Sequence, residues 1–174
     1  MHAFRAFAGS LRCCLTVLLL SSGSCSNPPP QTGHDEADPL LMKAIGTPVG
    51  GAEWNALTTK YKMKQVKMKG DDDLESPDHG LSVLSRQHLV WRTIICVNQQ
   101  HDIDDKPFAG TLPLGIEATD SPSDLIKKLG KPEFDDAEKR QDRWIYYKRS
   151  GFRFTFRYDH PPQLAWIMIE ADRN

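Results

Sequence analysis

Cysteine is almost missing from the stretch that carries the folding signals. Of four cysteines in 174 residues, Cys13, Cys14 and Cys25 crowd the N-terminus and Cys96 stands alone. No disulfide framework can be drawn downstream of Cys25. Cys96 sits inside Thr93-Ile94-Ile95-Cys96-Val97 with no basic neighbour to lower its pKa, so it reads as a small buried hydrophobe and not as a reactive thiol. Charge of one sign is also lacking. With 22 Lys+Arg against 23 Asp+Glu there is no basic field for nucleic acid and no acidic excess for a strongly cationic partner. The apolar stretch Cys13–Leu20 is far shorter than the roughly 20 residues that cross a bilayer as a helix. Catalytic signatures are missing too: there is no Walker loop, dinucleotide fingerprint, HExxH, GxSxG or CxxC pair. His79 and His160 each follow an aspartate, but sequence neighbours of this kind point different ways and mark turns. Neither Asp71-Asp72-Asp73 nor His101, Asp102, Asp104 and Asp105 has the spacing of an EF-hand or zinc site. The expectation is a protein that is not an enzyme and has no cofactor and no metal.

What is present begins with an address. Residues 1–24 carry Arg5 and Arg12 without an acid, then a short apolar core, then small residues ending at Cys25. That order is a signal-peptide pattern. Ending in a cysteine, it resembles the bacterial lipoprotein signal, which implies Cys25 as the lipid-attachment residue and new N-terminus; ordinary secretion is the alternative. Ser26 beside Cys25 implies, by the same resemblance, the outer membrane. Residues 25–37 then read as a proline-rich tether, which at about 3 Å per residue holds a folded body some tens of Å from a lipid surface.

With 39% hydrophobic residues, the remainder has the material for a core, and its most legible stretch runs from Ser121 to Ala171. Ser121 caps a helix that starts at Pro122, with Leu125, Ile126 and Leu129 on one face, and Gly130 with Pro132 stops it. The period then changes from helical to alternating. Trp144, Tyr146 and Lys148 alternate with Ile145, Tyr147 and Arg149, and Phe152, Phe154, Phe156 and Tyr158 alternate with Arg153, Thr155 and Arg157. A fainter copy precedes it: Asp38-Pro39 opens a helix closed by Gly46-Thr47-Pro48, and Leu89-x-Trp91-x-x-Ile94 lies over Leu164-x-Trp166-x-x-Ile169. Between them, Gly51–Tyr61 adds a short helix, the lysine-laced run around Met63–Met68 suits an edge strand, and Gly70–Asp78 reads as an acidic loop. The expected fold class is α+β: two tandem helix-plus-antiparallel-strand repeats, over 38–107 with its connector and 108–174, with helices on one face of the sheet.

These residues carry a family resemblance. The segment Gly115–Ala171, with its Leu-Gly-x-Pro helix stop followed by RWIYYKR, FRFTFRYD and LAWIMIE, resembles the BamE (SmpA/OmlA) lipoprotein domain; Asp38–Val97 resembles it less fully. Two such units in tandem are similar to the beta-lactamase inhibitory protein family, whose continuous sheet binds an enzyme. Leu112-Pro113-Leu114-Gly115 before the helix resembles secretion-system immunity proteins. The resemblance implies a periplasmic lipoprotein that binds and neutralises a protein partner, with an outer-membrane assembly or envelope-stabilising accessory as the alternative. If the phenylalanines line the core, Arg153 and Arg157, with Lys148 or Tyr147 nearby, fall to the open face as candidate partner contacts.

Overall fold

The computed structural model describes residues 38–68, 71–98, 106–136, 142–159 and 162–172. The signal segment, Cys25, the tether and the cluster from His101 to Asp105 lie outside them. Three helices and eight strands form an α+β fold: α1 Pro39–Lys43, α2 Ala52–Lys60, β1 Lys64–Met68, β2 Asp71–Ser76, β3 Leu81–Arg86, β4 Leu89–Cys96, α3 Pro122–Leu129, β5 Phe134–Asp135, β6 Arg143–Arg149, β7 Phe152–Asp159 and β8 Gln163–Ala171. The strands make one antiparallel sheet in the order β1-β2-β3-β4-β8-β7-β6-β5. Two four-stranded meanders thus meet at their last strands, β4 against β8, with Ile94 opposite Met168 at the seam.

Local chemistry accounts for the helices. Ser121 and Asp124 form a reciprocal capping box at α3, each side chain taking the other's backbone N–H, and Pro122 stands at the first helical position. Gly130 ends α3 at φ 80°, where a Cβ-bearing residue would be strained. Asp38 caps α1 by accepting from the Leu40 amide at 3.1 Å. Leu41, Leu57 and Leu125, one from each helix, are fully buried, and they join Val83, Ile95, Tyr147, Phe154, Phe156 and Ile167 in a single apolar cluster. The helices therefore cover the side of the sheet on which those strand residues lie. Gly80 is needed for another reason: a Cβ there would stand 2.2 Å from the Lys106 carbonyl, where the Lys106 amide donates to the Pro77 carbonyl and the Phe108 amide to the Cys96 carbonyl.

Several expectations are corrected. The acidic stretch Asp71–Asp73 is strand and not loop: it pairs with Val66–Met68 of β1, and on its other side, where pairing with β3 stops at Leu74, carboxylates take the amides, Asp73 Oδ1 accepting from Ser85 at 2.6 Å and Asp71 Oδ1 from Gln87 at 3.3 Å. The residue-level repeat does not carry over either. Two helices precede the first meander, whereas α3 alone precedes the second after a 3-10 turn at Pro113–Gly115. Trp91 and Trp166 are not equivalent. In the β3–β4 hairpin the bulged residue between Leu84↔Arg92 and Ser85↔Val90 is Trp91, while in the β7–β8 hairpin, between Arg157↔Trp166 and Tyr158↔Leu164, it is Ala165. The sequence match is off by one, and it sets Ile94, on the uncovered side, against the core residue Ile169. A one-residue slip exchanges the faces of a strand.

Candidate functional site

The face opposite the helices has no element over it among the described residues. Strand register decides what it displays. Pairings Phe134↔Tyr146, Trp144↔Arg157, Arg157↔Trp166, Arg153↔Glu170 and Glu170↔Arg92 string aromatic and arginine side chains across five strands. Glu170 organises one end. Its side chain is only 4% exposed, and both its oxygens are taken: Arg92 Nε donates to Oε1 at 2.6 Å and Arg153 Nε to Oε2 at 2.9 Å, with a second contact from the Nη2 of each guanidinium. A carboxylate this buried is tolerable because two forked donors meet it, and in return it fixes both guanidinium planes.

Each arginine also lies over an aromatic ring. Arg92 Cζ is 3.9 Å from the Trp91 ring centroid, Arg153 is 5.9 Å from Tyr146, and Arg157 lies between Trp144 at 6.0 Å and Trp166 at 5.7 Å. The rings contact one another as well. Trp144 meets Trp166 edge-on at 4.9 Å, and Phe134 stacks on Tyr146 at 5.4 Å with 14° between planes. Arg157 further donates to Asp142 at 2.8 Å. Such side chains lose little freedom on binding, since packing and ion pairs already hold their rotamers. Tryptophan, tyrosine and arginine are also the residue types that carry most binding energy at protein interfaces.

Arg153 and Arg157 project from this face. Tyr147 does not, which corrects its nomination as a partner contact: it pairs with Phe154 on the covered side, is fully buried, and its hydroxyl donates to the Gly130 carbonyl at 3.0 Å. Burial pushes its phenol pKa up, so it stays neutral. The sequence reading missed Trp91, Arg92, Phe134, Trp144, Tyr146, Trp166 and Glu170 as site residues. Trp144 and Tyr146 were available from the alternation along their strand; the others depend on which strands adjoin, above all on β4 meeting β8.

A second polar cluster lies by α2. Lys60 Nζ is 2.5 Å from Asp38 Oδ2, the Tyr61 hydroxyl donates to the same oxygen, and Ser76 Oγ stands 2.9 Å from His79 Nδ1. This is not a serine nucleophile with its base. Ser76 gives its proton to the Tyr61 carbonyl at 2.6 Å, so the imidazole must be the donor toward Ser76, the reverse of activation. Burial would raise the Asp38 pKa, but the bonds from Lys60, Tyr61 and the Leu40 amide outweigh it and hold the carboxyl below its ordinary range. Burial first, and then that carboxylate, push the Tyr61 phenol well up. The cluster ties α1 to α2.

Among the described residues no group of three or more His, Cys, Asp or Glu side chains is placed to hold a metal ion, and no helix is long and apolar enough to cross a membrane. Compared with protein-family models, curated proteins and solved structures, the chain matches none.

Proposed function

We propose that this protein is a non-catalytic binding protein, exported and tethered to the bacterial outer membrane through a lipid on Cys25, whose open sheet face covers a protein partner in the periplasm. The partner class we favour is a secreted antibacterial effector, which makes the chain an immunity or inhibitor protein. One observation carries the reading: an uncovered sheet face that holds Trp91, Trp144, Tyr146 and Trp166 in place with Arg92, Arg153 and Arg157. A solvated sheet face has no need of so many ordered aromatic rings, whereas a partner-binding one does. The tandem-unit reading belongs to the same proposal. It is supported by the two hairpins β3–β4 and β7–β8, each of which has two pairs after its turn and then one bulged residue.

The alternative, an envelope accessory, draws on the lipoprotein-like leader and the BamE-like segment 115–171. Titration separates the two. Pull-downs from cultures producing secreted effectors, with wild type and Phe134→Ser as baits, identify a protein that depends on the open face. Inhibition of that protein should then saturate near one equivalent. Inhibition by a small fraction of an equivalent means turnover and defeats the proposal, and recovery of only assembly-machinery or peptidoglycan-associated proteins selects the alternative. Replacing Cys25 with Ser should release the protein from membranes. Undiminished membrane association together with a mature mass lacking diacylglycerol excludes the lipid.

A further inference from the structure

We infer that the end of the open face between Trp91 and Tyr146 is a seat for one acidic side chain of the bound protein, with Arg86 as the cation that receives it. This rests on the reading of the open face as a protein interface and names what the partner must bring to it. A groove of about 250 Å³ opens there, lined by Trp91, Tyr146, Arg153, Glu170 and Ala171. Arg86, Lys148 and Asp172 line its rim.

Charge selects the occupant. Two of the three lining cations are already matched: Arg153 to Glu170, and Lys148 to Asp172 at 3.0 Å. Arg86 is exposed, and its guanidinium makes no ion pair or side-chain hydrogen bond with any described residue. Glu170 is shared with Arg92, so this end of the face carries an excess of positive charge, and Arg86 is the lining cation without a carboxylate of its own. A carboxylate meets that cation with a single charge, whereas a phosphate monoester brings about −1.5 to −2 up against the resident Glu170 and Asp172 carboxylates. A guanidinium also presents two parallel N–H groups at the spacing of a carboxylate.

The approach to Arg86 is also held firmly. It ends β3 opposite Leu89, and the turn that follows, Gln87-His88, has φ of 53° and 61° at residues that are not glycine. The Asp71 carboxylate holds the Gln87 amide in that turn. Two successive left-handed residues fit a tight type I′ hairpin and fix the direction in which the neighbouring strand residues leave the sheet.

The test uses the full chain and three short capped peptides that differ only at a central residue between two leucines: glutamate, glutamine or phosphoserine. Chemical-shift titration of the Trp91 indole N–H reads the groove. The glutamate peptide should bind roughly tenfold or more tighter than the glutamine peptide, and Arg86→Gln should erase that difference while Lys127→Gln on α3 leaves it. Equal binding of glutamate and glutamine, or a preference that survives Arg86→Gln, overturns the carboxylate seat. Tighter binding of phosphoserine than of glutamate overturns it as well and assigns the groove to phosphate. A partner captured by the wild type alone, without selection on Phe134→Ser, separates this from the broader reading: weakening by Phe134→Ser but not by Arg86→Gln removes the acidic seat alone, and indifference to both removes the interface with it.

Discussion

On the covered side of the sheet Phe156 is fully buried with Tyr147 edge-on at 6.1 Å, whereas on the uncovered side Phe134 is 45% exposed with Tyr146 stacked on it at 5.4 Å. Both pairs lie on antiparallel strands, β6 serving both, and both juxtapose aromatic rings. What differs is the company. Phe156 belongs to one buried cluster with Ile145, Tyr158, Leu164, Ile167 and Leu125, residues whose value lies in leaving water. The rings opposite are interleaved with arginines, and the arginines are tied to Glu170, Asp142 and Asp159. The first arrangement stabilises the fold by burial. The second keeps large apolar groups ordered at the surface while charged groups between them keep the patch solvated until a partner arrives.

That contrast is breakable by paired substitutions. Phe156→Ala should cost about 3–5 kcal/mol, because it removes a fully buried ring from a core that cannot refill the space, and chemical denaturation should show a sharply lower midpoint. If it costs no more than a surface change, the covered face is not the core described here. Glu170→Ala should cost less, about 1–3 kcal/mol, by leaving Arg92 and Arg153 side by side with no carboxylate between them. Its cost should shrink when Arg153→Ala is already present. Additive losses in that double-mutant cycle would mean that Glu170 does not hold the guanidinium as drawn. Phe134→Ser should change stability by at most about 1 kcal/mol, as an exposed cross-strand pair does. A large loss of stability there would erase the distinction between the faces, since the ring would then be part of the fold.

The comparison also separates what the sequence could tell from what it could not. Helix α3 was legible because its signals are local: the Ser121 and Asp124 box, Pro122, and Gly130 at the stop all lie within ten residues of one another. The phenylalanine stripe on β7 was legible because a strand has a fixed period, and Arg153 and Arg157 follow from it by parity. Everything that needed a second strand was out of reach. Tyr147 joined the wrong face because the reading grouped residues by nearness in the chain and not by the pairing that sets it against Phe154. Trp91 was matched to Trp166 because Leu-x-Trp-x-x-Ile recurs one position away from the register that the two hairpins share, and residue identity alone does not reveal register. Asp71–Asp73 looked like a loop because three aspartates disfavour a strand by themselves; the Ser85 and Gln87 amides that hold them come from a different hairpin strand and its turn. Glu170 gave no signal at all, as its two partners stand 78 and 17 positions away.

The smallest expected effect concerns two carboxylates on opposite sides of the sheet, Asp38 beneath the helices and Asp73 on the parity of the uncovered face. Asp38 has its pKa lowered in the fold, so its contribution to stability is present at neutral pH and is lost as pH falls from the ordinary carboxylate range through the depressed folded value. Asp73 has the opposite sign. Burial, only partly offset by the Ser85 amide and reinforced by Asp71 and Asp72, raises its pKa, so the protonated form is favoured by folding and that advantage is lost as pH rises through the raised value. Asn at position 73 keeps a carbonyl oxygen to accept the Ser85 N–H, now 2.6 Å from Asp73 Oδ1, and removes the charge. Asp73→Asn should therefore be slightly more stable than wild type at neutral pH, with the gain vanishing below about pH 3, where Asp73 is itself neutral. Asp38→Asn should do the reverse, lowering stability at neutral pH and flattening its decline in acid. Thermal melts of both variants across that range measure the two slopes. A neutral-pH loss for Asp73→Asn that persists unchanged in acid would mean that the residue is held by the geometry of its hydrogen bond and that its charge costs the fold nothing.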